Sequence, residues 1–215
     1  MTESGSLKVI FAALIGNTLI SITKFGAAFV TGSSAMFSEA IHSLVDTGNQ
    51  LLMLHGLRRA KKPADEAHPF GYGMEVYFWT FVVAILVFAG GAGVSIYEGI
   101  HKVMAPEPVS NVMINYAVLG AAMVFEGVAW MMAYKEFGRS RGRMGLMEAV
   151  SRSKDPTVFT VLFEDTAAML GLFVAFVGIA AADYLDMPLL DGVASIVIGL
   201  ILALTASLLL LSINS

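Results

Sequence analysis

The sequence has 215 residues, 57% of them hydrophobic and 14% charged, and a mean hydropathy of +0.75, which excludes an ordinary soluble domain. A formal charge of −4 and a pI near 5.5 argue against a nucleic-acid partner. With no cysteine there is no disulfide, thiolate zinc site or iron–sulfur cluster, so any metal must be held by His, Asp and Glu.

Met1 to Ser6 carries no basic residue and the apolar run after it is long, so no cleavable signal peptide is expected. Six apolar runs approach or exceed the roughly 20 residues that cross a bilayer. The first, at 7–30, has Lys24 inside it, which either snorkels to an interface or pairs with a buried carboxylate such as Glu39. Thr31-Gly32-Ser33-Ser34 makes a short uncharged turn into the second, at 35–57. The loop from Arg58 to Gly73 is basic, then acidic, and its Pro63, Pro69 and glycines break helices. The third run, at 74–103, contains Gly90, Gly91 and Gly93, which permit close helix approach or a bend. The fourth, at 112–137, holds Glu126. A basic stretch from Gly138 to Lys154 follows, with an amphipathic turn expected around Met144 to Val150. Pro156 opens the fifth run, at 156–182, which contains Glu164-Asp165. Acidic residues from Asp183 to Asp191 lead to the sixth, at 189–211.

These runs predict an all-α membrane protein, a six-helix transmembrane bundle forming one domain over 1–215. Of the 13 Lys and Arg residues, all but Lys24 and Lys102 fall at the N-terminus, the second loop or the fourth loop. The positive-inside rule then places both termini in the cytoplasm. In a bacterium the host would be the cytoplasmic membrane. No internal repeat is strong enough to predict inverted halves.

The chemistry concentrates in SEAIHSLVDTGN, residues 38–49. His42 and Asp46 are four apart and share a helix face, with Glu39 and Asn49 on roughly the same side. An imidazole and a carboxylate so placed can both reach one divalent cation; the alternative is a polar face satisfied by neighbouring helices. Glu164 and Asp165 project about 100° apart, so one of the two faces His42 squarely. Glu126 is a proton relay or a buried hydrogen-bonding group, and Asp65, Glu66 and His68 hold a surface metal or form a solvated loop. The neutral imidazole is the ligating form, so protons and metal compete wherever ligation occurs. The 13 methionines are scattered, as packing residues are.

Through TGSSAMFSEAIHSLVD at 31–46, PADEAHPFGYG at 63–73, FEDTAAMLG at 163–171 and DGVASIVIGLIL at 191–202, the sequence resembles the cation diffusion facilitator family. The resemblance covers nearly the whole chain as that family's six-helix membrane domain. It implies a metal pair on helix two, matched by His42 and Asp46, and a His-x-x-x-Asp pair on helix five. Here the His position falls on Glu164 and the Asp position on Ala168. The implied ligands are therefore His42, Asp46 and Glu164, completed by Asp165 or water, with Glu164 favoured over Asp165. The familial loop site has an Asp and two histidines; Asp65 and His68 match, but Tyr72 stands at the second His, so at most a weak site is expected. The family usually adds a cytosolic, ferredoxin-like C-terminal domain that dimerises; none is present in these 215 residues, so either the sequence is cut short or dimerisation rests on the membrane domain.

The resemblance implies a secondary transporter, not an enzyme and without a resident cofactor. It would export Zn²⁺ from the cytoplasm against protons as a homodimer, by alternating access, with helices one, two, four and five rocking against three and six. Mn²⁺, Fe²⁺, Co²⁺ and Cd²⁺ remain open as cargo, since selectivity follows geometry. Lys24, Glu39, Asn49 and Glu126 are read as proton-relay or structural polar groups. Two other classes compete. An intramembrane metalloenzyme would use Glu39 or Asp165 as base, but the zinc-protease and serine-hydrolase motifs are missing. A passive cation channel would more typically use carbonyl or carboxylate rings than a His-containing chelate.

Overall fold

The computed structural model describes residues 3–66, 68–141 and 156–213. Six long helices run through them: α1 (Glu3–Thr31), α2 (Ser34–Ala60), α3 (Glu75–Met104), α4 (Val112–Arg141), α5 (Pro156–Tyr184) and α6 (Leu189–Ile213). At 1.5 Å per residue, helices of this length reach about 37 to 45 Å, enough to cross a hydrocarbon core of about 30 Å. There is no strand among the described residues. The amphipathic turn expected around Met144 to Val150 lies outside them.

Five of the helices are long and apolar enough to span a membrane on composition, and α2 is not among them. The reason is physical. Glu39, His42, Asp46, Asn49 and Gln50 dilute its hydropathy, yet Glu39, His42 and Asn49 are buried among other helices and not turned toward lipid. The bundle is therefore polar at its centre and apolar at its rim. Lys24, Glu39, His42, Asn49, Glu126 and Glu164 are buried, whereas Phe29, Val124, Met132, Phe173 and Leu204 are exposed. Hydrocarbon is the solvent that such a surface fits. This is an integral, multi-pass membrane protein.

α2 occupies the middle, touching α1, α3, α5 and α6, while α4 packs on α5 and on α1. α3 and α6 form the tightest pair. A Cβ on Gly99 would lie 2.6 Å from the Gly192 carbonyl oxygen, so only glycine lets these backbones meet. In its middle, at Val87–Gly93, α3 widens to a π-helical turn containing the three glycines noted in the sequence.

The N-terminal end of α2 is fixed by a residue far away in the chain. Gly32, at φ +68°, turns the chain after α1. Ser33 then caps α2, its Oγ accepting from the Met36 N–H at 3.0 Å. The Asp191 carboxylate, at the start of α6 and fully buried, accepts from Ser33 Oγ (2.7 Å), Ser34 N (2.7 Å), Ser34 Oγ (3.1 Å) and Ala35 N (3.3 Å). A carboxylate here answers both the orphan N–H groups and the positive end of the helix dipole. Lys102 of α3 donates to the Gly32 carbonyl at 2.8 Å. Deeper in, Ser38 and Ser195 lie 2.6 Å apart and Ser195 donates to the Ser95 carbonyl at 2.8 Å. α2 is thus bonded to α6 along its first two turns, while Lys102 of α3 holds the turn just before it and Ser195 links α6 to α3. Its other end is tied by Arg59, which bonds Glu75 at 2.9 Å.

Candidate metal centre

Helical periodicity alone lines up Glu39, His42, Asp46 and Asn49 on one face of α2. Packing then buries that face against α1 and α5. His42 Nδ1 lies 3.3 Å from Asp46 Oδ1, close enough for attraction but without hydrogen-bond geometry, so both ring nitrogens are left without a hydrogen bond. Asp46 Oδ1, Glu39 Oε1 and Asn49 Oδ1 are also buried without one. Buried polar atoms normally find partners, because leaving one unmade costs about 1 to 3 kcal/mol. A run of them along one helix face is the pattern of a site shaped for something else to bind. The side chain of Asp46 retains 16% exposure, against 2% for His42.

α5 runs antiparallel to α2, and the side chains pair accordingly. Asn49 donates to Glu164 Oε1 at 3.1 Å, and Glu39 Oε1 sits so near Gly171 that a Cβ there would overlap it. Between those two levels α5 offers Ala167 and Ala168. Glu164 therefore faces α2 one turn beyond Asp46, held by Asn49. Asp165 is less buried and lies with Glu164, Glu126 and Lys24 within electrostatic reach of Asp46. Among the described residues no three His, Asp or Glu side chains converge as a formed metal cage would require. His42 and Asp46 are together; Glu164 and Asp165 are neighbours of that pair.

Lys24 does not reach an interface. Its ammonium is fully buried, 3.1 Å from Glu39 Oε2 and 2.7 Å from Ser43 Oγ. Glu126 is buried on α4 and acts electrostatically on Glu39, Asp46 and Asp165. Sequence reasoning missed Ser43, Asn49 as the partner of Glu164, and Asp191 as the cap. Asn49 carried a signal in its place on the polar face of α2, and Ser43 in standing four residues after Glu39.

The loop between α2 and α3 has its own hydrogen-bond network. Asp65 accepts from the Tyr72 hydroxyl at 2.6 Å and from the His68 backbone N–H at 2.8 Å, and the His68 and Tyr72 rings stack with centroids 4.1 Å apart. The Tyr72 hydroxyl bond, with His68 behind it, holds the Asp65 carboxyl below its ordinary value; Asp65 in turn pushes the Tyr72 phenol up. The Tyr72 hydroxyl thus occupies one oxygen of the Asp65 carboxylate.

Residues 10–213 match the cation efflux transmembrane domain. The chain belongs to the cation efflux family. That family, the cation diffusion facilitators, is the one its motifs resemble. Among cation efflux relatives, the human mitochondrial proton-coupled zinc antiporter SLC30A9 is 34% identical over 208 residues, 96% of this chain and 37% of that protein. Metal tolerance protein C4 of Arabidopsis thaliana is 29% identical over 96% of this chain and 46% of its own length. Magnetosome protein MamM of Paramagnetospirillum magneticum is 27% identical over 89% of this chain and 57% of its own. The chain spans about a third to just over a half of these curated relatives.

Proposed function

We propose that this membrane domain exports a divalent transition-metal cation, Zn²⁺ foremost, from the cytoplasm in exchange for protons. The observation that carries the reading is the row of buried, unpartnered polar atoms on α2, His42 Nδ1 and Nε2 and Asp46 Oδ1 at its centre. Family membership supports it, as does the name of the human relative, a proton-coupled zinc antiporter.

His42 and Asp46 are the first ligands. Glu164 joins them when its carboxylate leaves Asn49, and Asp165 or water completes the set. Each ligand binds the cation only when free of a proton, so metal entry expels protons and proton entry expels metal. Asn49 holds the Glu164 carboxylate in the empty state, while Glu126 and Asp165 supply further carboxylates for the exchanged protons. The bonds of α2 to α6 through Asp191 and Ser38, with Lys102 of α3 on the turn before α2, hold one end of the site shut. Opening there requires α2 to part from that pair, in keeping with helices one, two, four and five rocking against three and six. Both termini are cytoplasmic, the working unit is a homodimer, and no bond chemistry is performed on a substrate.

The test is Zn²⁺ uptake into proteoliposomes under an imposed pH gradient. An exchanger gives saturable uptake that follows the gradient, and protons on the metal's side raise the apparent KM. Non-saturating flux indifferent to the gradient indicates a channel and overturns the exchange.

A further inference from the structure

We infer that Glu39 and His42 form a second station for the divalent cation, about one helix turn from the His42–Asp46 pair, with Lys24 as a tethered cation that competes for it. The inference rests on the exporter reading above.

A buried ion pair kept only for structure would be closed, each charged atom meeting a partner, because a half-satisfied one is costly. The Lys24–Glu39 pair is open. Lys24 holds Oε2 and Ser43, but Oε1 of the same fully buried carboxylate has no hydrogen bond. Space for that oxygen exists because position 171 on α5 is glycine; a Cβ would overlap it. His42, three residues on and therefore on the same face, has a second ring nitrogen equally unpartnered. A neutral imidazole ligates through one nitrogen and carries its proton on the other, so a cation can pass from the Asp46 side to the Glu39 side as the ring proton moves from the Glu39-side nitrogen to the Asp46-side one.

A cleft of about 330 Å³ lies at the N-terminal end of α2, lined by Ser34, Phe37, Glu98, His101, Lys102 and Glu107 among others. Ser34 is about 7.5 Å along the helix axis from Glu39. Lys24 gives the step its direction. At the lower pair the cation meets carboxylates from α2 and α5. At the upper one it meets a carboxylate already shared with an ammonium, whose repulsion shortens the stay and favours release. Glu126 of α4, which acts on Glu39 and feels Lys24, is the other charge facing this station.

The experiment uses the full chain and Zn²⁺ as probe, with binding by equilibrium dialysis in detergent and uptake in proteoliposomes. Glu39→Gln is expected to keep Zn²⁺ affinity within about threefold, because the lower ligands remain, while maximal uptake falls about tenfold. Lys24→Gln removes the repulsion and is expected to tighten binding about tenfold while slowing uptake. The double variant keeps the slow uptake of Glu39→Gln. If instead both single variants lose binding and transport together and the double variant recovers both, the pair is structural and the inference is overturned. Where Glu39→Gln does not fold, Glu39→Asp keeps the charge opposite Lys24 and withdraws the carboxylate by one methylene; wild-type uptake in that variant overturns the inference equally. Wild-type protein that takes up no Zn²⁺ contradicts the exporter reading itself, a different result from wild-type transport unaffected by Glu39.

Discussion

Asp191 makes α2 depend on a carboxylate 157 residues away from Ser34, and its removal has a cost that can be worked out. In Asp191→Ala four hydrogen bonds go at once: two to hydroxyls and two to the first N–H groups of α2. Charge-assisted bonds contribute about 1.5 to 3 kcal/mol each and do not add fully. The two hydroxyls can turn to other acceptors, whereas the Ser34 and Ala35 N–H groups are buried and cannot. Two stranded donors at about 1 to 3 kcal/mol each, plus the lost dipole interaction of about 0.3 to 1, give about 2 to 7 kcal/mol. Asp191→Asn keeps one acceptor oxygen but turns an amide N–H₂ toward donors, and should lose about half as much. Reversible denaturant unfolding in detergent, followed by tryptophan fluorescence, reads the difference directly. An Asp191→Ala protein within about 0.5 kcal/mol of wild type would refute the claim that this carboxylate anchors α2.

Three further outcomes follow from other contacts. Gly99→Ala sets a Cβ 2.6 Å from the Gly192 carbonyl and should destabilise by about 1 to 3 kcal/mol, whereas Gly120→Ala meets nothing within 4 Å and should be neutral or stabilising by up to about 1 kcal/mol; paired thermal melts decide. Tyr72→Phe deletes the hydroxyl bonded to Asp65, and an NMR titration should find the Asp65 carboxyl moved up toward its ordinary value. Because the folded-state value of Asp65 is depressed, the loop's contribution to stability is fully present above about pH 4 and is lost as the pH falls through the lowered value, and Tyr72→Phe should weaken that dependence. Asn49→Ala frees Glu164 Oε1, so equilibrium dialysis should show Zn²⁺ binding retained or tightened, and a loss of more than tenfold would contradict the role given to Asn49.

Much of this molecule can be read along one helix at a time. Apolar runs broken by Thr31-Gly32-Ser33-Ser34, by the Pro63–Pro69 loop and by Pro188 mark the helices, and a spacing of three and four residues puts Glu39, His42, Asp46 and Asn49 on one face. A hydropathy window by itself passes over α2, because the residues that make it a site also make it polar. What periodicity leaves open is the rotation and axial shift between helices, and the cross-helix pairings depend on both. Lys24 reaches Glu39 and Ser43 in place of an interface; Glu164 meets Asn49 before it meets His42; Asp191 caps a helix it does not belong to. The loop shows the same limit on a small scale. Asp65, His68 and Tyr72 are visible as a motif, but that the tyrosine hydroxyl takes one carboxylate oxygen is a fact of geometry.

The central claim, that the α2 pair holds the exported cation, is tested most directly by Asp46→Ala beside wild type in proteoliposomes under one imposed pH gradient. The claim predicts saturable, gradient-following Zn²⁺ uptake in the wild type and a loss of at least about a hundredfold in the variant, the size expected when a charged ligand is removed from a buried site. Equal Zn²⁺ uptake by the two proteins would remove Asp46 from the site and contradict the account.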